Sequence, residues 1–170
     1  MRIPKSKNNG DLKLEQLNED QFNVAYVIFD KVREWINLKS ESSQVKKKFK
    51  PLWLTVLGCG GTGKSLLINT IVAQIRTIFK NNNSVLVTAP TGAAAHNIGG
   101  QTIHREFKIS VKKKKGSSLS NSAKEHLIQK LSQTIALFFD EWSMISQRVI
   151  RSAEINVRTA AHGGEHSNED

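Results

Sequence analysis

Between Gly58 and Ser65 the chain reads Gly-Cys-Gly-Gly-Thr-Gly-Lys-Ser, the G-x-x-x-x-G-K-S form of a phosphate-binding loop. Glycines let consecutive backbone N–H groups turn toward one anion, and the N-terminus of a following helix adds partial positive charge. Lys64 carries a cation able to reach β- and γ-phosphates, while the Ser65 hydroxyl suits a Mg²⁺ ion. The flanks fit that chemistry. Leu52, Leu54 and Val56 alternate, predicting a strand over 52–57 that delivers the loop. Leu66, Leu67, Ile68, Ile71 and Ile75 predict a helix over 64–79. A glycine-rich turn between strand and helix has no need of nucleotide, yet it has no need of Lys-Ser at the helix start either.

A second constellation is Asp140-Glu141, which follows the apolar run Ile135-Ala136-Leu137-Phe138-Phe139. Two carboxylates at a strand end can divide labour. Asp140 would hold Mg²⁺ together with Ser65, and Glu141 would orient and deprotonate an attacking water. By themselves two such acids can equally cap the next helix. The phosphate loop upstream favours the catalytic role. Gln21 is ambiguous in the same way. It stands three residues after Asn18, where it can close a capping box. Its amide also offers the donor and acceptor that match the N7 and N6 edge of adenine.

The elements that must position these groups follow from periodicity. Phe22, Ala25, Phe29, Val32 and Ile36 predict a helix from Asn18 to about Ile36 with one buried stripe. Val85-Leu86-Val87-Thr88-Ala89 predicts a buried strand, and Pro90-Thr91-Gly92-Ala93-Ala94-Ala95 opens a short helix that Gly99-Gly100 stops. Ala123 to Leu131 reads as helix, 135–139 as a third strand, and about 146–160 as a final helix. Residues 37–51 and 110–122 read as polar loops, the second holding Lys112 to Lys115, and Asn81-Asn82-Asn83 as a turn. Strands alternating with helices mean parallel βαβ units and a three-layer α/β domain behind an N-terminal helix. Ligands of such sheets sit at the carboxyl ends of the strands. The phosphate loop, Thr88-Ala89-Pro90 and Asp140-Glu141 all fall at such ends. The expected layout is a disordered 1–13, one domain over 14–160, and a disordered tail over 161–170.

Twenty-five Lys and Arg against fifteen Asp and Glu give a net charge of +10, which favours polyanionic partners, nucleic acid first and anionic membrane second. No stretch approaches the roughly 20 apolar residues that span a bilayer, and Met1-Arg2-Ile3-Pro4-Lys5 leads into no apolar segment of the kind a signal peptide needs. A lone Cys59 excludes an internal disulfide and agrees with a reducing compartment, with nucleus, cytosol and organelle matrix all open and nucleus or mitochondrion expected if the chain is eukaryotic.

Taken together, these residues resemble the Pif-type DNA helicases, of the RecD-like branch of superfamily 1, with close relatives in Helitron transposons. The resemblance is carried by Leu17-Asn18-Glu19-Asp20-Gln21-x-x-x-Ala25, Gly58 to Ser65, and Thr88-Ala89-Pro90-Thr91-Gly92-Ala93-Ala94-Ala95. Gly100-x-Thr102-Ile103-His104 and Asp140-Glu141-x-Ser143-Met144-Ile145 complete it. It implies a RecA-like P-loop NTPase domain that uses ATP and Mg²⁺ to move 5′ to 3′ on single-stranded DNA. By the same resemblance Gln21 would contact adenine. Gly58, Gly60, Gly61, Thr62, Gly63, Lys64, Ser65 and Leu66 would hold the phosphates. Ser65 and Asp140 would take the metal, and Lys64, Asp140 and Glu141 would be catalytic. Thr91, Gly92, Thr102 and His104 would face DNA, since small residues admit a sugar-phosphate chain and hydroxyls donate to phosphate. A short strand over Thr102-Ile103-His104 with a merely structural His is the plainer alternative, as a solvated loop is for Lys112–Lys115.

Departures from the family pattern bear on the same site. Cys59 stands where Pro is usual, in the variable part of the loop, so phosphate binding should survive; an unreactive thiol is the plainer reading, and one activated by Lys64 and the helix N-terminus the sharper alternative. Trp142 replaces a smaller apolar residue. The family's sensor motif and its second RecA-like domain, the source of an arginine finger, are expected to be missing. The sheet would then lack the strand between the phosphate-loop strand and the Asp-Glu strand. A truncated product, marginally stable and aggregation-prone, is the expectation, with a non-catalytic nucleotide- or DNA-binding relic and another RecD-like NTPase as alternatives.

Overall fold

The computed structural model describes residues 14–40, 49–110 and 119–161. They fall into two compact units, one ending at Ile75 and the other beginning at Arg76. The expected disordered ends and the Lys112–Lys115 run lie outside the described residues. Among the described residues no helix is long and apolar enough to cross a membrane.

The first unit holds α1 (Glu19–Ser40) and most of α2 (Lys64–Phe79). Ala25 and Val32 are buried on α1, two turns apart on the anticipated stripe, whereas Phe22 is 44% exposed. The helix runs four residues beyond Ile36, into a segment expected to be loop; Ser40 Oγ donates to the Asn37 carbonyl in its last turn. Leu67, Ile71 and Ile75 recur every fourth residue along α2 and are all buried. They form the stripe that the sequence announced.

The strand expected over 52–57 is not formed. Residues 49–59 are irregular, with Trp53 and Leu57 90% and 88% exposed and Leu52, Leu54 and Val56 exposed as well. Alternating apolar residues give a segment strand character, but a strand exists only where a neighbour meets its N–H and C=O groups. Nothing among the described residues does so, and the segment stays in solvent.

The second unit is a three-stranded parallel sheet, order β2-β1-β3, built from β1 (Val85–Ala89), β2 (Gln101–Thr102) and β3 (Ala136–Phe139). All five residues of β1 are buried. A continuous apolar, β-branched run suits a central parallel strand covered on both faces. The β3 edge away from β1 carries no strand among the described residues. Around the sheet lie α3 (Gly92–Asn97), α4 (Ile103–Glu106), α5 (Asn121–Ser132) and α6 (Gln147–Ala161). Ile103, Phe107, Leu127, Ile145, Ala153 and Ala160 form the core beneath α4, α5 and α6. Ser120 caps α5 by accepting from the Ala123 amide, so that helix starts inside the polar stretch read as loop. At the sheet's other end a 3₁₀ turn, Asn82–Ser84, replaces the plain turn expected there. Asn81 caps it, and Gln133 Oε1 accepts from both Asn81 and Asn83 amides.

Gly100 closes the return from α3 to β2, and a Cβ there would collide with the Val87 carbonyl and Cα-bound carbon of β1. Backbone cannot yield as a side-chain tip can. Gly100→Ala should therefore destabilise the second unit by roughly 1–3 kcal/mol. Gly60→Ala, whose Cβ meets nothing, should leave the urea midpoint nearly unchanged. Chemical denaturation of the two variants checks this.

Candidate functional site

The phosphate loop folds upon itself. Gly61 and Gly63 have φ of +77° and +80°, values that glycine adopts freely and other residues resist. Turning N–H groups inward leaves carbonyls that need partners, and the loop supplies them locally. Lys64 Nζ donates to the Gly58 and Cys59 carbonyls, both at 2.7 Å, and Thr62 Oγ1 donates to the Cys59 carbonyl at 2.9 Å. The ammonium thus sits over its own loop. Ser65, in the first turn of α2, is exposed, as is the Cys59 side chain.

Gln21 serves as a helix cap and also reaches the phosphate loop. Asn18 N donates to Gln21 Oε1 at 3.1 Å and Gln21 N donates to Asn18 Oδ1 at 2.9 Å, a complete capping box. The Gln21 Nε2 donates to the Thr62 carbonyl at 2.9 Å, bridging 41 residues to the phosphate loop. One N–H and one lone pair of the amide remain, the pair an adenine edge needs. A Cβ on Gly63 would lie 2.5 Å from Gln21 Nε2, so glycine at 63 serves both the loop's φ and the amide's approach. This contact was missed from sequence because no local pattern links positions so far apart.

In the second unit the candidate residues gather at the carboxyl ends of the strands, as expected. Asp140 N donates to the Thr88 carbonyl at 2.8 Å, carrying the β1–β3 ladder one residue past Phe139. Asp140 Oδ1 then accepts from Glu141 N at 2.9 Å, which fixes the carboxylate's orientation. Glu141 has φ +50° and ψ +41°, a left-handed conformation uncommon for a non-glycine residue and concentrated at functional sites. Its side chain is exposed. Trp142 packs edge-on against Phe139 at 5.5 Å, and Phe139 stacks on Phe107 at 6.1 Å. The bulky Trp therefore braces the strand end behind the acids.

Thr91 and Thr102 are helix N-caps. Thr91 Oγ1 accepts from Ala94 N at 3.2 Å and Thr102 Oγ1 from Arg105 N at 3.3 Å. The hydroxyl protons remain available to a phosphate oxygen. Thr102 ends β2 opposite Ala89, and Ile103 opens α4, so the strand expected by the plainer reading stops one residue into Thr102-Ile103-His104. Gly92 is exposed and His104 is half-buried on α4. Among the described residues no cluster of three or more His, Cys, Asp or Glu forms a ready-made metal cage.

A parallel sheet with flanking helices, a glycine-rich loop ahead of a helix and an acidic pair at a strand end define an incomplete α/β domain of the P-loop NTPase class. The family model described as PIF1-like helicase matches residues 16–166, and the chain belongs to that family. It is 31% identical over 151 residues to the ATP-dependent DNA helicase PIF1 of Candida albicans, covering 81% of this chain and 15% of that protein. It is 32% identical over 99 residues to the ATP-dependent DNA helicase RRM3 of Saccharomyces cerevisiae, covering 57% of this chain and 14% of that one. A shorter match, 47% over 51 residues, relates it to the ATP-dependent DNA helicase PIF5 of Trypanosoma brucei brucei, with 30% and 5% covered. The chain spans about a seventh of the length of the first two relatives. No solved structure matches it significantly.

The clamp from Gln21 to Thr62 makes a direct prediction. Gln21→Ala removes half the capping box and one loop anchor, so amide hydrogen exchange should quicken at residues 18–21 and 61–64 together. Acceleration confined to the helix start would mean that the Thr62 bond contributes nothing.

Proposed function

We propose that this chain is the ATP-handling portion of a DNA motor that tracks 5′ to 3′ along a single strand and opens duplex ahead of it. The observation that carries the proposal is Lys64 folded over the carbonyls of its own loop, where an incoming phosphate would exchange for them. Membership in the PIF1-like family and relatives named as ATP-dependent DNA helicases support the same assignment.

In this scheme Gln21 offers its unused N–H and lone pair to adenine while holding Thr62. The amides from Gly60 to Ser65 receive the phosphate oxygens, and Lys64 moves from Gly58 and Cys59 to the β- and γ-phosphates. Ser65 and Asp140 would be the groups to hold Mg²⁺, which would offset negative charge on the triphosphate. Glu141 orients the attacking water and accepts its proton, and its left-handed backbone sets the carboxylate beyond the strand end. Thr91, Gly92, Thr102 and His104 face the single strand. A second helicase domain in a longer polypeptide supplies the arginine finger. Without that finger, rates fall by about 10³–10⁵, so this chain alone should turn over ATP only in traces. Nucleus or mitochondrion is the workplace that fits such a motor.

The test is nucleotide binding and hydrolysis by the chain with and without oligothymidine. Lys64→Ala should abolish binding of a fluorescent ATP analogue. Glu141→Gln should keep binding and lower any DNA-stimulated turnover by about 10²–10⁴. Binding without turnover in the unaltered chain, even beside a separately supplied second domain, would identify a relic. Affinity for single-stranded DNA should fall steeply with salt, the log–log slope growing by about 0.7 for each phosphate neutralised. An affinity unchanged between low and moderate salt contradicts a phosphate-contacting surface.

A further inference from the structure

In the second unit, α4, the residues after it and α5 wall a cleft of about 380 Å³. It reaches from Gln101 at the head of β2 to Gln133 ahead of β3, and its lining is almost wholly polar. At its floor Glu106 is 5% exposed, with Lys130 Nζ 2.5 Å from Oε1. The ammonium lies off hydrogen-bond alignment with that oxygen, so the contact is Coulombic, and it cancels the charge of both groups. Arg105 and Lys108 are different. Both are exposed, and neither has an ion-pair partner among the described residues.

The placement of Lys108 is built into the fold. Its backbone is left-handed, with φ +55°, at the position just past the end of α4 where Ile109 N donates back to the His104 carbonyl and closes the helix. Asn156 on α6 adds a tertiary hold, donating from Nδ2 to the Phe107 carbonyl at 2.7 Å and the Lys108 carbonyl at 3.3 Å. Arg105 is tied to the strand-end surface, because its amide caps on Thr102 and it follows His104 directly. Two uncompensated cations flanked by the amides of Gln101 and Gln129 match phosphate oxygens, and the His126 imidazole is the one ring among the lining residues, where a run of stacked bases needs successive aromatic platforms.

We infer that this cleft is a second contact for the polynucleotide backbone, taking phosphodiesters from a strand that has crossed Thr102 and His104 and passes α4. It rests on the DNA-motor proposal above and adds to it a binding surface outside the family motifs. Gln101, Gln129 and Arg105 act there as donors to phosphate oxygens, and Lys108 as a fixed point charge.

The experiment is fluorescence anisotropy of labelled oligothymidine with the whole chain, titrated across salt. Arg105→Glu with Lys108→Glu should weaken binding at least tenfold at low salt. Arg105→Gln with Lys108→Gln, which removes charge without adding repulsion, should lower the log–log salt slope by about 1.4, two phosphates at about 0.7 each. Arg105 and Lys108 are both exposed, and circular dichroism of each variant checks that it folds. An unchanged slope in the glutamine pair overturns the inference, as does tighter binding of a polyglutamate peptide than of the oligonucleotide. A wild-type chain that binds no oligonucleotide overturns both this and the motor proposal. Binding that is lost in His104→Ala but kept in the glutamine pair overturns the cleft alone.

Discussion

A loop that turns its N–H groups inward must have its carbonyls satisfied elsewhere, and in this chain three of them are met by Gln21 and Lys64. Each partner is also a group that the nucleotide would use. In the proposed ATP site, arrival of phosphate would be an exchange of hydrogen bonds, in which Lys64 would give up Gly58 and Cys59 for stronger, charged acceptors. Gln21 need not exchange anything, because its amide has capacity left over. The same residue closes the first turn of α1, so the start of that helix and the shape of the loop rise and fall together.

The same demand orders the second unit. β1 is buried on both faces and paired on both edges, which makes it the reference against which its neighbours are registered. Thr88 accepts the Asp140 amide just after β3 ends, and Ala89 pairs with Thr102 where β2 ends. Asp140 and Thr102 consequently stand level with the end of β1. The Asp140 carboxylate is held by the next amide, while Glu141 swings out on a left-handed turn with Trp142 and Phe139 packed behind it.

Much of this could be read from the chain. The helix over 64–79, the strand over 85–89 and the capping box of Asn18 and Gln21 come from patterns that close within one or two turns, and the structure repeats them. The segment 52–57 shows where such reading ends. Its alternation is as clear as any, but periodicity describes one strand and pairing needs two, so Trp53 and Leu57 stand in water. Contacts between distant residues were likewise invisible: Gln21 to Thr62, and Asn156 to the carbonyls after α4. Among the site residues, types and order were legible, whereas the capping duty of Thr91 and Thr102 emerged only once helices were seen to begin there.

That duty has a chemical corollary. Aspartate and asparagine cap helices as well as threonine does or better, so capping alone would let any of them occupy positions 91 and 102. Aspartate, however, would bring an anion to the mouth of the sheet and repel any passing polyanion. A hydroxyl is amphoteric in this sense: its oxygen serves the helix while its hydrogen stays free to face outward. Threonine at both positions thus lets one atom group answer to the fold and to a negatively charged visitor at the same moment.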